Sequence, residues 1–201
     1  MNPENSPSIH LSAATLFKNF VDNFWKFTDN HELNRSLVFS DKDIIIIVSE
    51  KEKIELRNEI LGIIGNSQDK KVMKTLAEAV RKIFYYDYFR CWEDQVLLQI
   101  QELLNSKNES KFYAALQIFY QLAKLYENER EQSKERKMYS KAFQIIFPYI
   151  TDFIIYAKDK LDNDIAIIIV KKILKIFYRT INADIPEIIV NSNYFKVWME
   201  C

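Results

Sequence analysis

The run Asp69-Lys-Lys-Val-Met-Lys-Thr-Leu-Ala-Glu-Ala-Val-Arg-Lys-Ile-Phe-Tyr-Tyr86 decides the fold. Its apolar residues Val72, Leu76, Ala79, Val80, Ile83 and Phe84 return mostly at three- and four-residue steps, the period of a helix with one buried stripe. The same spacing recurs in Lys111 to Tyr126 through Phe112, Ala115, Leu116, Phe119, Leu122, Ala123 and Tyr126. It returns in Leu161 to Ile181 through Ile165, Ile168, Ile173, Leu174, Phe177 and Ile181. Glu93 to Leu104 and Arg136 to Lys158 are equally periodic, with Ser133 placed to start the latter.

The breaks between these segments are short and polar. Asn66-Ser67, Asn105 to Asn108, Asp159 to Asn163 and Asn191 to Asn193 suit helix caps and tight connections between antiparallel neighbours. Two glycines, Gly62 and Gly65, and four prolines leave too little punctuation for the turns of a β-sandwich or a doubly wound sheet. The expected fold is therefore all-α, an α-solenoid of HEAT/ARM-type repeats with about four helix pairs. Helices centred near Lys18, Ala77, Ile118 and Lys171 are spaced 59, 41 and 53 residues apart. The period of such repeats is roughly 40–47 residues, so two intervals carry insertions.

The longer insertion is assigned to Thr28–Asp43, rich in Asn, Asp, Ser and Arg. Ile44 to Val48 could form a buried strand by β-branching, but a lone strand lacks a partner, and the run is read as the lead-in to a helix over Lys51–Ile64. Residues 1–10, polar and containing Pro3 and Pro7, are expected to be disordered, and 11–201 to form the solenoid.

The 201 residues contain 28 Lys plus Arg and 28 Asp plus Glu, so no net field draws nucleic acid or an anionic membrane, and partners are recognised by local patches. The longest strongly apolar runs fall far short of the ~20 residues that span a bilayer. Cys91 and Cys201 lack CxxC spacing, and reduced thiols are expected. No signal peptide is evident.

Candidate chemistry is sparse. His10 and His31 lie in polar segments without a ligand at i+4. Gly62 and Gly65 lack the following Lys-Ser or Lys-Thr of a phosphate loop, so GTP binding by the chain itself is not expected. Asp159 to Asp164 has near calcium-loop spacing without the glycine and distant glutamate, and a helix cap explains it. Lys134 to Lys141 is a mixed-charge helix entrance with Glu135 inside it. Phe84, Tyr85, Tyr86, Tyr88, Phe89 and Trp92 are read as packing between repeats ahead of a docking pocket. No cofactor and no enzymatic constellation is expected.

Several motifs occur in a telling order. Ser12-Ala-Ala-Thr-Leu-Phe-Lys-Asn19 running on to Trp25 is followed by Ile54-Glu-Leu-Arg-Asn-Glu-Ile-Leu61, then by Asp87-Tyr88 with Trp92. Next come Leu122-Ala-Lys-Leu-Tyr-Glu127 and Phe147-Pro148, and finally Lys175-Ile-Phe-Tyr178, Ile185-Pro186 and Trp198-Met-Glu200. Over about residues 10–201 this series resembles the amino-terminal region of nuclear transport receptors of the importin-β superfamily, the importin seven and eight class. It departs by having Phe89 where the family usually has proline, by lacking the family's opening helix pair, and by stopping in mid-helix. The expectation is thus a fragment or a short form, with apolar end faces that favour self-association.

The resemblance implies a karyopherin that shuttles between cytoplasm and nucleus, binds the small GTPase Ran in its GTP form, carries import cargo proteins and contacts nucleoporins. It implies inner helices over Glu50–Ile64, Cys91–Leu104 and Arg136–Ala157, with a further one starting at Tyr194. Polar positions on them, Lys53, Arg57, Glu93, Asp94 and Gln101, are the candidate Ran contacts. For Arg57 an internal ion pair with Glu52 or Glu59 competes with that role. A generic repeat scaffold without Ran binding fits the periodicity equally well.

Overall fold

The computed structural model describes residues 7–25, 48–129, 133–160, 162–182, 187–190 and 193–200. The expected insertion at 28–43, the run 44–47, His31, the motif pair at 185–186 and Cys201 lie outside the described residues.

Among the described residues the regular elements are all helical. They are α1 (Pro7–Phe24), α2 (Glu50–Asn66), α3 (Lys70–Asp87), a π-helical turn (Tyr88–Trp92), α4 (Glu93–Asn105), α5 (Glu109–Tyr126), α6 (Lys134–Ala157), α7 (Asp164–Ile181), the short α8 (Glu187–Val190) and α9 (Tyr194–Glu200). Helix α1 begins at Pro7, within the segment expected to be disordered; proline's fixed φ suits the first turn of a helix, where its missing N–H costs nothing.

The polar breaks are caps, as their composition implies. Ser49 and Glu52 form a reciprocal capping box at α2. The side chain of Asp69 accepts from the backbone of Lys71 and Val72, that of Asn108 from Lys111, that of Ser133 from Arg136, and that of Asn163 from Ile165 and Ala166. Asn163 thereby gives Asp159–Asp164 the helix-cap role.

The helices form two layers. In one, α1, α3, α5 and α7 pack successively; in the other, α2, α4, α6 and α9 do, and the core lies between. Among the described residues the chain is an all-α stack of helical repeats, with α2 against α3, α4 against α5 and α6 against α7 across the layers, the solenoid the periodicity demanded. Each apolar stripe is buried only by its neighbours: Leu76, Val80, Ile83 and Phe84 of α3, Leu116, Phe119 and Leu122 of α5, and Ile169, Ile173 and Ile176 of α7 belong to one continuous cluster. Trp198 of α9 closes the described end, stacking near Phe147 and Phe177 and donating from Nε1 to Thr151 Oγ1 at 3.0 Å.

Of the aromatic run at the second pair, Phe84, Tyr88 and Trp92 are buried, with Phe84 5.5 Å from both other rings, while Tyr85 stays exposed. Where the importin-type pattern has proline, the backbone around Phe89 widens into the π-helical turn, so α3 runs into α4 with no loop between them.

The glycines of α2 differ. A Cβ on Gly65 would meet Leu103 Cδ2 of α4 at 2.5 Å, so this glycine permits close approach of two helices in one layer. A Cβ on Gly62 meets nothing within 4 Å. Gly62→Ala is therefore expected to raise stability by about 0.5–1 kcal/mol through reduced chain entropy, measured as a higher urea midpoint with an unchanged slope. A lower midpoint would show that α2 needs the glycine.

Candidate functional site

The second layer is where the candidate contacts were placed, and the structure divides them. Lys53 and Arg57, one helical turn apart on α2, are both buried. Arg57 Nη1 donates to Asp87 Oδ2 at 2.7 Å, and Trp25 Nε1 donates to the same oxygen at 3.1 Å. Lys53 Nζ donates to Glu50 Oε1 at 2.8 Å and lies 5.9 Å from the centre of the Trp25 ring. Glu50 also sits 4.0 Å from Arg57.

These residues form an internal clamp tying the end of α1, the start of α2 and the end of α3. The candidate contacts Lys53 and Arg57 are thus engaged inside the fold, with Glu50 and Asp87. The expected ion-pair partners of Arg57 are corrected, because Glu52 is occupied by the Ser49 cap, and Asp87 and Glu50 take its place.

Glu93, Asp94 and Gln101 lie on α4, where Asp94 is exposed and Glu93 and Gln101 are half-buried. Glu93 lines a groove of about 530 Å³ with Lys134, Lys137, Met138 and Lys141 from the first turns of α6. Partial burial, with Asp94 beside it, pushes the Glu93 carboxyl above its ordinary range, while Lys141 and Lys134 pull it back. The groove can offer a carboxylate on one wall and ammonium groups on the other. Lys134–Lys141 is thus the opposite wall of the site, which its mixed-charge composition did not reveal.

Exposed aliphatic residues stand on three successive helices of this layer: Ile54 on α2, Leu98 on α4, and Ile145 and Ile155 on α6, at 50%, 61%, 38% and 47% exposure. Among the described residues, no group of three or more His, Cys, Asp or Glu could hold a metal ion, and no helix is long and apolar enough to cross a membrane. The arrangement offers surfaces, with charge and apolar contact on stacked helices.

Fold and site together define a HEAT/ARM-type helical-repeat array with a mixed polar and apolar helix face. Comparison with known proteins makes this more specific. The chain is 28% identical over 193 residues to importin-8 of Mus musculus and 27% identical over 193 residues to importin-8 of Homo sapiens, 96% of the chain being covered in each case. It is 24% identical over 197 residues to an importin beta-like SAD2 homologue of Arabidopsis thaliana, again across 96% of its length. The chain spans 17–18% of the length of these relatives. No family profile and no solved structure matches it. The resemblance to the importin-β superfamily and its importin seven and eight class, read from the ordered motifs, is carried by similarity along nearly the whole chain.

Proposed function

We propose that this chain is a nuclear transport receptor module, working in protein import and passing between cytoplasm and nucleus, that binds Ran in its GTP form through the layer of α2, α4 and α6. The observation that supports it is the coincidence of two things: similarity to proteins named importins over 96% of the chain, and a groove between α4 and α6 where Glu93 faces three lysines. With Lys53 and Arg57 buried, the partner contacts fall to Glu93, Asp94 and Gln101, with Lys134, Lys137 and Lys141 across the groove. Cargo proteins and nucleoporins are the further partners this reading brings, and it needs no cofactor or catalytic step.

The test is capture of Ran by the purified chain, with Ran loaded with GTP or with GDP. Selective capture of the GTP form is expected, and Glu93→Lys with Asp94→Lys should weaken it about tenfold or more by setting like charges against the groove lysines and altering the field seen by the partner. Equal capture of both forms, or of neither, would overturn this reading. The exposed Ile54, Leu98, Ile145 and Ile155 of this layer favour the second reading in that event, a repeat scaffold docking another protein by apolar contact.

A further inference from the structure

The opposite layer carries a feature that the function above does not use. Around the half-buried ring of Tyr120 on α5 stand three cations: Lys172 Nζ at 4.1 Å from the ring centre, Arg179 Cζ at 5.2 Å and Lys124 Nζ at 5.9 Å. Arg179 Nε also donates to the Tyr120 hydroxyl at 3.2 Å. Lys172 Nζ donates to Gln117 Oε1 at 3.0 Å, and Gln117 is oriented because its amide N–H bonds the Tyr113 hydroxyl. Lys175 on the same helix and Lys74 on α3 are close enough to repel Lys172, as are Lys124 and Arg179.

Two carboxylates border this group, and both are engaged. Glu78 is 2.7 Å from Lys18 and 4.0 Å from Lys74, and Glu127 pairs with Arg179. Five cations from three successive helices thus share a surface with these two acids, which pair with Lys74 and Arg179, so positive charge is in excess there.

The burial of Lys172 and the repulsion of Lys175, Lys74, Lys124 and Arg179 lower its ammonium to about 8. Like charges held together against their own repulsion are complementary to an anion. A nucleic acid would be drawn by a wider basic field than a chain with 28 basic and 28 acidic residues provides, and Glu78 and Glu127 would oppose a continuous run of phosphates. Separate carboxylates on a flexible backbone can pass between those two acids. Neighbouring helix axes lie about 8–10 Å apart, so the surface is roughly 20 Å wide, the reach of about six extended residues.

We infer that the face of α3, α5 and α7 is a docking surface for a carboxylate-rich acidic segment of a partner protein, held by Lys74, Lys124, Lys172, Lys175 and Arg179. An arriving carboxylate stabilises the charged form of Lys172, so docking takes up a proton. The sign follows: affinity is highest below the free amine's value and falls as pH rises from 7 to 9.

The probe is a fluorescent octaglutamate peptide titrated into the full chain, beside a length-matched neutral peptide, inorganic phosphate and a short oligonucleotide. Octaglutamate is expected to bind, more weakly at high salt. Lys124→Glu with Lys175→Glu, both outside the buried core, is expected to cost at least about tenfold in affinity while circular dichroism stays unchanged. Lys172→Arg keeps the charge fixed and is expected to bind while losing the fall between pH 7 and 9. The inference is overturned if octaglutamate does not bind, if it binds the double variant undiminished, if the pH dependence survives in Lys172→Arg, or if the oligonucleotide or phosphate binds this face as tightly.

Discussion

Asp87→Ala is expected to destabilise the protein by about 3–5 kcal/mol, the range seen when one member of a buried ion pair is removed and the other stays uncompensated. The Asp87 and Arg57 side chains are each only 7% exposed, and one carboxylate oxygen serves both Arg57 and Trp25. Without it the Arg57 guanidinium keeps, among the described residues, only Glu50 at 4.0 Å, and the Trp25 indole N–H loses this acceptor. For a chain of this size the thermal midpoint should fall by roughly 6–20 °C. Because repeat arrays unfold in parts, the first sign should be faster amide exchange in α1, which the clamp ties to α2 and α3. Asp87→Ala combined with Arg57→Met should cost clearly less than the sum of the two single changes. A single-variant loss below about 1 kcal/mol would show that the clamp contributes little net stability.

Arg136→Ala is the second large effect, expected at about 3 kcal/mol. Arg136 is fully buried at the first turn of α6, and its guanidinium donates from Nη1 to the carbonyl of Tyr126 at 3.4 Å and from Nη2 to the carbonyl of Thr180. Those carbonyls end α5 and sit in the last turn of α7, where the backbone carries partial negative charge; that of Tyr126 also accepts from the Glu129 N–H at 3.2 Å. One arginine therefore caps two helices of the opposite layer, and its group also lies 5.3 Å from the centre of the Tyr139 ring. Hydrogen bonds to a charged group are worth about 1.5–3 kcal/mol each, offset in part by the release of the buried charge to water. Arg136→Lys should recover only part of the loss, since a compact ammonium cannot span both carbonyls. Chemical denaturation gives the comparison, and a midpoint for Arg136→Ala equal to the parent would sink this account.

The fold was legible because burial in a stacked array is periodic, and the period survives in Val72 to Phe84 whatever the neighbours are. Caps at Ser133 and in the Asp159–Asn163 break were legible for the same local reason, as side chains that satisfy backbone within three residues. The site was less legible because a charge on a helix reads as solvated unless its partner is seen, and the partner of Arg57 lies 30 residues away. A signal existed on the other side of that pair. Asp87 continues the buried stripe of Val80, Ile83 and Phe84, and a carboxylate on a buried stripe calls for a cation. The cations around Tyr120 were beyond the sequence, since Lys172 and Arg179 meet that ring only through the register of α7 on α5.

The π-helical turn at Tyr88–Trp92 bears on how the array carries force. A loop between two helices is slack, and one helix can be pushed without turning the other. Here α3 passes into α4 through the π-helical turn with no loop between them, and the backbone bends at Asp87 and Trp92, where it leaves regular helical angles. Asp87 sits at that joint and bolts it to Trp25 and Arg57. The joint between α3 and α4 is thus pinned to the end of α1 and to α2 through a single carboxylate oxygen.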